Sequence, residues 1–407
     1  MQRQRSELQT VRAGLLNRLH AGTRSVAVFG PMEVPDPADA RRRLSAYLDA
    51  GPATRVGLRP DPARRRWRWD PESVVDQVVA VPPASSPEEL LTALRSAAPF
   101  RLGFAGPYTT AEFDHGVGEV QSALLAALVA NGVLDPRRPE VLAAVTAPRA
   151  GLTSAALRTL AAHPMRIAAI LRQLHEQPAA EPPTAAEPVG WGSGPDTRAA
   201  VLDAETVAAL RARPASGTRP SVKTLILCAL VAALADAGVP LDPWLTMPVD
   251  LRRYLRPGVN PLGNMVAGVE FHHRPGDDPA ELHRRIGVAV ASGRPVAGAL
   301  RSSVAGAGAI LGRRALRPEA LPPGPARLLF SGIHGSPMFS LFRWTDPASA
   351  VALCRSDPAG PTDITVTSIE VHGRCTLTAS FWPDHQDGDR LQTALDRIAA
   401  DPLRYLD

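Results

Sequence analysis

Histidine titrates near neutral pH, so its imidazole is the side chain best suited to take up and return a proton there. One histidine of this chain is placed for that chemistry. The run Tyr-Thr-Thr-Ala-Glu-Phe from 108 to 113 predicts a strand, and it leads straight into Asp114-His115-Gly116-Val117-Gly118-Glu119. Gly116 and Gly118 permit backbone geometry closed to other residues and would keep the space beside the imidazole open. Leu124, Leu125, Leu128 and Val129 then share one helical face, with Gly132 as a stop signal. The positive end of that helix would disfavour the imidazolium, leaving a neutral ring suited to act as a general base. Glu119 could turn back toward an arginine. Taken alone, a histidine at a strand end is more often structural than catalytic.

Other candidates are weaker. His272-His273 with Asp277 or His283 matches no good metal-ligand set, so a solvated strand end is the simpler reading and no metal is expected. His334, in Gly-Ile-His-Gly, is the better second candidate, because glycines again clear its surroundings. Ser122, Ser331 and Ser336 lack a nucleophile elbow. There is no phosphate-binding P-loop and no GxGxxG dinucleotide fingerprint.

These residues sit in a chain of 407 residues, 45% hydrophobic and 21% charged, enough for two or three compact units. A net charge of +5 over that length does not imply nucleic-acid binding. The densest basic cluster is Arg64, Arg65, Arg66 and Arg68, interleaved with Trp67 and Trp69. It reads either as a docking patch for an acidic partner or, more simply, as an edge strand with arginines out and tryptophans in. The three cysteines, Cys228, Cys354 and Cys375, form no CxxC pair, which suits a reducing cytoplasm better than a disulfide framework. No secretory leader and no membrane span are expected.

Strand and helix patterns alternate through the first half: strands at 25–29, 54–58, 66–69, 78–81, 100–104 and 108–113, and helices from Asp36 and Ser86. Helical stretches follow at 137–147 and 153–175. Residues 176–195, rich in Pro, Ala, Glu and Gly, read as a linker. The pattern then restarts, with an apolar helix at 221–237, a strand at 244–249, and a strand-rich block before the closing helix. The expected organisation is an N-terminal helix or tail over 1–19, a lobe over 20–175, the linker, and a second lobe over 196–407, both lobes α/β.

At this point the sequence resembles a family. Phe-Asp-His-Gly-Val-Gly-Glu-Val-Gln-Ser, 113–122, is similar to the His-His-x-x-x-Asp-Gly-x-Ser motif of the chloramphenicol-acetyltransferase-like superfamily. That superfamily includes condensation domains of nonribosomal peptide synthetases and polyketide-associated acyltransferases. Met247-Pro248-Val249-Asp250-Leu251-Arg252-Arg253-Tyr254-Leu255, followed by Pro261-Leu262-Gly263-Asn264-Met265, resembles a second segment of the standalone members. The tail from Cys375 also resembles theirs. The likeness spans about residues 20–405. Asp114, Glu119 and Val120 depart from the motif, which has His, Asp and Gly there. No Asp-Phe-Gly-Trp-Gly segment stands near 330–345, where Ser331-Gly332-Ile333-His334-Gly335 lies instead.

The resemblance implies two similar lobes in a V with a tunnel between them, His115 in mid-tunnel, and a structural ion pair from Glu119 to Arg252 or Arg253. Asp114, Val120, Ser331 and His334 would line the tunnel, and Asn264 would support the site. The implied reaction is acyl transfer to a small-molecule hydroxyl or amine in natural-product biosynthesis, antibiotics included. The donor would be an acyl-CoA or a phosphopantetheine-linked acyl group on an acyl or peptidyl carrier protein, with no tightly bound cofactor. Two alternatives stay open: cyclisation or dehydration of a bound intermediate in the same tunnel, and a non-catalytic module that binds carrier proteins.

Overall fold

The computed structural model describes residues 9–145, 151–168, 170, 189–191, 194–214, 217–311, 320–321 and 324–406. In chain order the strands are β1 Thr10–Arg12, β2 Arg24–Gly30, β3 Leu58–Arg59, β4 Arg66–Trp69, β5 Val78–Ala80, β6 Phe100–Ala105 and β7 Tyr108–Asp114. They continue with β8 Val189–Gly190, β9 Asp196–Leu202, β10 Trp244–Asp250, β11 Val266–His272, β12 Ala320–Leu321, β13 Leu328–Ile333, β14 Val351–Ser356, β15 Ile364–Val371 and β16 Arg374–Phe381.

Two large sheets organise the molecule. The first has the order β14-β2-β7-β6-β5 and the second β11-β10-β13-β15-β16-β9. Period-two alternation assigns the faces of the first sheet. Ala27 and Phe29 of β2, Ala111 and Phe113 of β7, and Ala352 and Cys354 of β14 pack with the helices Pro37–Leu48 and Val120–Ala130. Val26, Val28 and Leu353 point the other way, onto Leu90 and Leu91 of the helix Pro87–Ala93. That helix starts as its sequence predicts, with Ser86 accepting from the Glu89 N–H. In the second sheet, Leu377, Ala379 and Phe381 of β16 face a core shared with the helices Val222–Asp236 and Gly388–Ala400.

The row on the other face of β16 consists of hydroxyls: Thr376, Thr378 and Ser380 are all buried. Thr376 donates to the Ala352 carbonyl, Thr378 accepts from the Cys354 N–H at 3.4 Å, and Ser380 accepts from the Ser356 N–H at 3.2 Å. β14 is the edge strand of the first sheet, and an edge leaves backbone groups unpaired. The hydroxyl row of the second sheet satisfies them and joins the two sheets.

The structure corrects three expectations. β14 falls within the stretch assigned to the second lobe, yet it pairs with β2 of the first sheet in the register Ser356↔Ser25. Alternation marks a strand but does not say which sheet it joins, so 196–407 is not one self-contained lobe. Of the helix or tail expected over 1–19, the described part is a short strand and then a short helix, both packed on the body. β1 pairs with β4, and Leu16, in the helix Leu15–Leu19, is buried with Leu251, Leu255 and Met265. The Arg/Trp strand does alternate exposed and buried, but β4 lies at the centre of a three-stranded sheet, β1-β4-β3, not at an edge.

The helix expected over 153–175 is interrupted, with helical residues resuming at 165–168. Gly151–Ala156 is α-helical and Leu157–Ala161 widens to a π-turn before Pro164, whose ring cannot continue the ladder. Residues 171–175 of that stretch lie outside the described residues, as does most of the 176–195 linker. Within the linker Val189–Gly190 forms β8, which pairs with β12. Among the described residues no helix is long and apolar enough to cross a membrane.

Candidate active site

Three neighbouring strands bring side chains to one place on the helix-covered face of the first sheet. Ser25 continues the Ala27/Phe29 row of β2, and Ser356 continues the Ala352/Cys354 row of β14. Phe113 of β7 is directly opposite Ser25, and His115, two residues on, leaves the strand end on the same side. Its ring stacks edge-on against Phe113 at 5.3 Å and lies 6.2 Å from the His20 ring. His115 Nε2 is 2.8 Å from Ser25 Oγ and 3.4 Å from Ser356 Oγ, and those hydroxyls are 2.9 Å apart. This nitrogen therefore meets two serines, where sequence reasoning expected an open channel. Burial, and next the neighbouring His20, hold the imidazole down to about 3, so it is neutral throughout the physiological range.

The turn carrying His115 is fixed by its backbone. The His115 N–H donates to the Thr23 carbonyl at 2.8 Å. Its three successive carbonyls each accept from a side chain: Asn264 Nδ2 donates to His115 O, and Arg55 donates to Gly116 O at 3.0 Å and to Val117 O. Asp114 Oδ1 accepts from the Gly116 N–H at 2.6 Å and Oδ2 from the Gly22 N–H at 3.0 Å. Burial raises the Asp114 carboxyl despite these bonds.

Glu119 is the N-cap of the helix Val120–Ala130, but its carboxylate does not cap that helix. Oε2 pairs with Arg252 Nη1 at 2.7 Å, and Oε1 accepts from the Met265 N–H. Arg252 also donates to Pro261 O and Gly263 O, both at 2.9 Å, and meets Asp250 at 3.1 Å. Arg253 is exposed and takes no part in the pair. Ser122 donates to Leu262 O at 2.7 Å. The two segments singled out in the sequence, 113–122 and 247–265, thus interlock through Leu262, Asn264 and Met265 and through the Glu119–Arg252 pair.

The glycines act differently from expectation. Neither Gly116 nor Gly118 adopts a left-handed φ. Each is required by close approach: a Cβ on Gly116 would lie 2.7 Å from Pro60, and one on Gly118 would lie 2.7 Å from the Leu262 carbonyl oxygen. Gly118→Ala is expected to push these segments apart and lower stability by about 1–3 kcal/mol. Urea unfolding measures it, and an unchanged midpoint would show that the contact is slack.

The remaining candidates disperse. Val120 is the first residue of the helix and packs at the margin of the first core. Ser331 is half-buried on β13. His334 follows β13 and belongs to a second cluster, with Nε2 2.8 Å from Ser368 Oγ and Nδ1 3.3 Å from Glu370 Oε2. Burial, opposed by Glu370, holds it down to about 4. Sequence reasoning missed Ser25, Ser356, Asn17 and Arg55. Asn17 Oδ1 accepts from both the N–H and the side-chain amide of Asn264. Arg55 carried a signal only in hindsight, as a lone arginine in a Gly-Pro-Ala-Thr turn. Its φ of 69° is left-handed, a strained setting for a non-glycine residue at a functional turn.

The two sheets, their strand orders and this interlock define a mixed α/β protein whose fold is shared with solved condensation-domain and acetyltransferase structures. Three solved structures carry that statement. The first condensation domain of the calcium-dependent antibiotic synthetase superposes with a TM-score of 0.53 at 18% identity, covering 98% of each chain. The TRI3 trichothecene 15-O-acetyltransferase of Fusarium sporotrichioides gives 0.60 at 11% identity, covering 97% of this chain and 95% of that one. Polyketide synthase associated protein 5 of Mycobacterium tuberculosis gives 0.52 at 15%, covering 97% and 98%. No family model and no curated protein sequence matches the chain.

Proposed function

We propose that this protein transfers an acyl group from a thioester, carried on coenzyme A or on the phosphopantetheine arm of a carrier protein, to a hydroxyl or amine acceptor. His115 is the general base. One observation carries the reading: a neutral imidazole at the end of β7, hydrogen-bonded to hydroxyls, on a turn whose carbonyls from His115 to Val117 are clamped by side chains. A thioester carbonyl is already electrophilic, so positioning two substrates and removing one proton suffices without a covalent enzyme intermediate. The buried imidazolium is unstable, so the proton would pass readily to the departing thiolate. The likeness to condensation and acetyltransferase domains supports a natural-product setting.

The test is incubation with a panel of acyl-CoA and acyl-carrier thioesters and candidate acceptors, with products followed by mass spectrometry. New ester or amide is expected. Carrier binding without product would leave only the non-catalytic module, and a cyclised or dehydrated product would assign the site to that chemistry.

The same burial predicts the pH profile. An ordinary histidine base would cost activity as pH falls through about 6.5. With His115 held down to about 3, kcat/KM should stay level from pH 8 to pH 5. A single inflection near 6.5 would contradict this placement of the base.

A further inference from the structure

Direct deprotonation of an acceptor by His115 requires a free nitrogen facing that acceptor, yet Nε2 is engaged by Ser25 and Ser356. The two serines differ in access. Ser25 is 1% exposed, while Ser356 is half-buried at the end of an edge strand. They stand opposite each other in the β2–β14 register, and the Ser356 backbone is held by Ser380 of the second sheet. Each hydroxyl has one proton, so the chain of bonds can run in either direction. Ser356 can donate to Ser25 and Ser25 to Nε2, or Nε2–H can donate to Ser25 and Ser25 to Ser356. Passing from the first arrangement to the second delivers one proton from beyond Ser356 to the imidazole.

We propose that Ser25 and Ser356 form a two-hydroxyl relay between His115 and the acceptor, with Ser356 the catalytic residue that touches the acceptor and Ser25 the link. This rests on the acyl-transfer reading. The acceptor proton moves to Ser356 Oγ, the Ser356 proton to Ser25 Oγ, and the Ser25 proton to His115 Nε2. The acceptor electron pair forms the bond to the thioester carbonyl carbon. When the tetrahedral intermediate collapses, the C–S bond breaks and the thiolate takes the proton back along the same path. The sum is thioester plus acceptor giving ester or amide plus free thiol, with His115 and both serines regenerated.

The experiment compares wild type with Ser25→Ala, Ser356→Ala and Ser356→Thr on one acyl-CoA, measuring kcat, KM and rates in H2O/D2O mixtures. Wild type should show a bowed proton inventory, reporting more than one proton in flight. Ser356→Ala should lose about 100-fold in kcat with KM little changed and give a straight inventory. Ser356→Thr, which keeps the hydroxyl, should recover most of the rate. A straight wild-type inventory, an unchanged kcat in both alanine variants, or an acyl adduct on Ser356 would overturn the relay. A protein inert to every thioester would sink the acyl-transfer reading instead. In that case the 15N shift of His115 Nε2 decides the relay: it should move in Ser25→Ala and in Ser356→Ala, and a shift unaffected by Ser356→Ala would overturn it.

Discussion

Replacing Arg252 by leucine is expected to lower stability by about 3–5 kcal/mol, the range for removing one member of a buried ion pair. The loss should be unequal between the partners. Without Glu119, Arg252 keeps Asp250 and the carbonyls of Pro261 and Gly263. Without Arg252, Glu119 keeps the Met265 N–H and the more distant charge of Arg55, and has Asp250 as a like-charged neighbour. Glu119→Gln should therefore cost distinctly less. Burial raises the Glu119 carboxyl, with Arg252 pulling against it; on Arg252, burial is outweighed by Glu119 and Asp250. Removing the arginine lets Glu119 rise further, so the folded variant holds a proton that the unfolded chain has released. The deficit of Arg252→Leu against wild type should then shrink as pH falls from 8 toward 5. Urea titrations at several pH values measure this. Equal losses for the two partners, or a deficit that grows on acidification, would show that the pair is not buried as described.

How much of this was legible in the sequence depends on the kind of information each element carries. β4, β7 and the helix after Glu119 are marked by local sequence: strand-forming runs for β4 and β7, and an apolar run stopped at Gly132 for the helix. The expected strand over 54–58 is instead a 3-10 turn at Gly51–Thr54 followed by the two-residue β3, because Arg55 takes a left-handed φ that breaks the extended run. The meeting of 113–122 with 247–265 was approachable because both segments resemble one family. Ser25 and Ser356 were not approachable, since nothing local marks either one. They become a pair only because β14 crosses to the first sheet, and that topology is fixed by the hydroxyl row of β16 and the open edge of β2. Sequence reasoning located the histidine but not what its nitrogen faces.

The second large effect concerns His115. His115→Ala should reduce acyl transfer by about 100- to 10,000-fold, the usual contribution of a positioned general base. The fold should survive, because Ser25 retains Ser356 as a partner and the turn is held through its backbone by Thr23, Asn264 and Arg55. Losing one such hydrogen bond costs about 1 kcal/mol. His115→Gln keeps a polar group toward Ser25 without an effective base, so it separates loss of chemistry from loss of structure.

The most direct measurement is the single-turnover rate of thiol release from an acyl thioester, with acceptor present, for wild type, His115→Ala and His115→Gln matched for folded content. Both variants are expected to fall at least about 100-fold while binding the thioester as wild type does. Thiol release and product formation at the wild-type rate in either variant would contradict the assignment of His115 as the base.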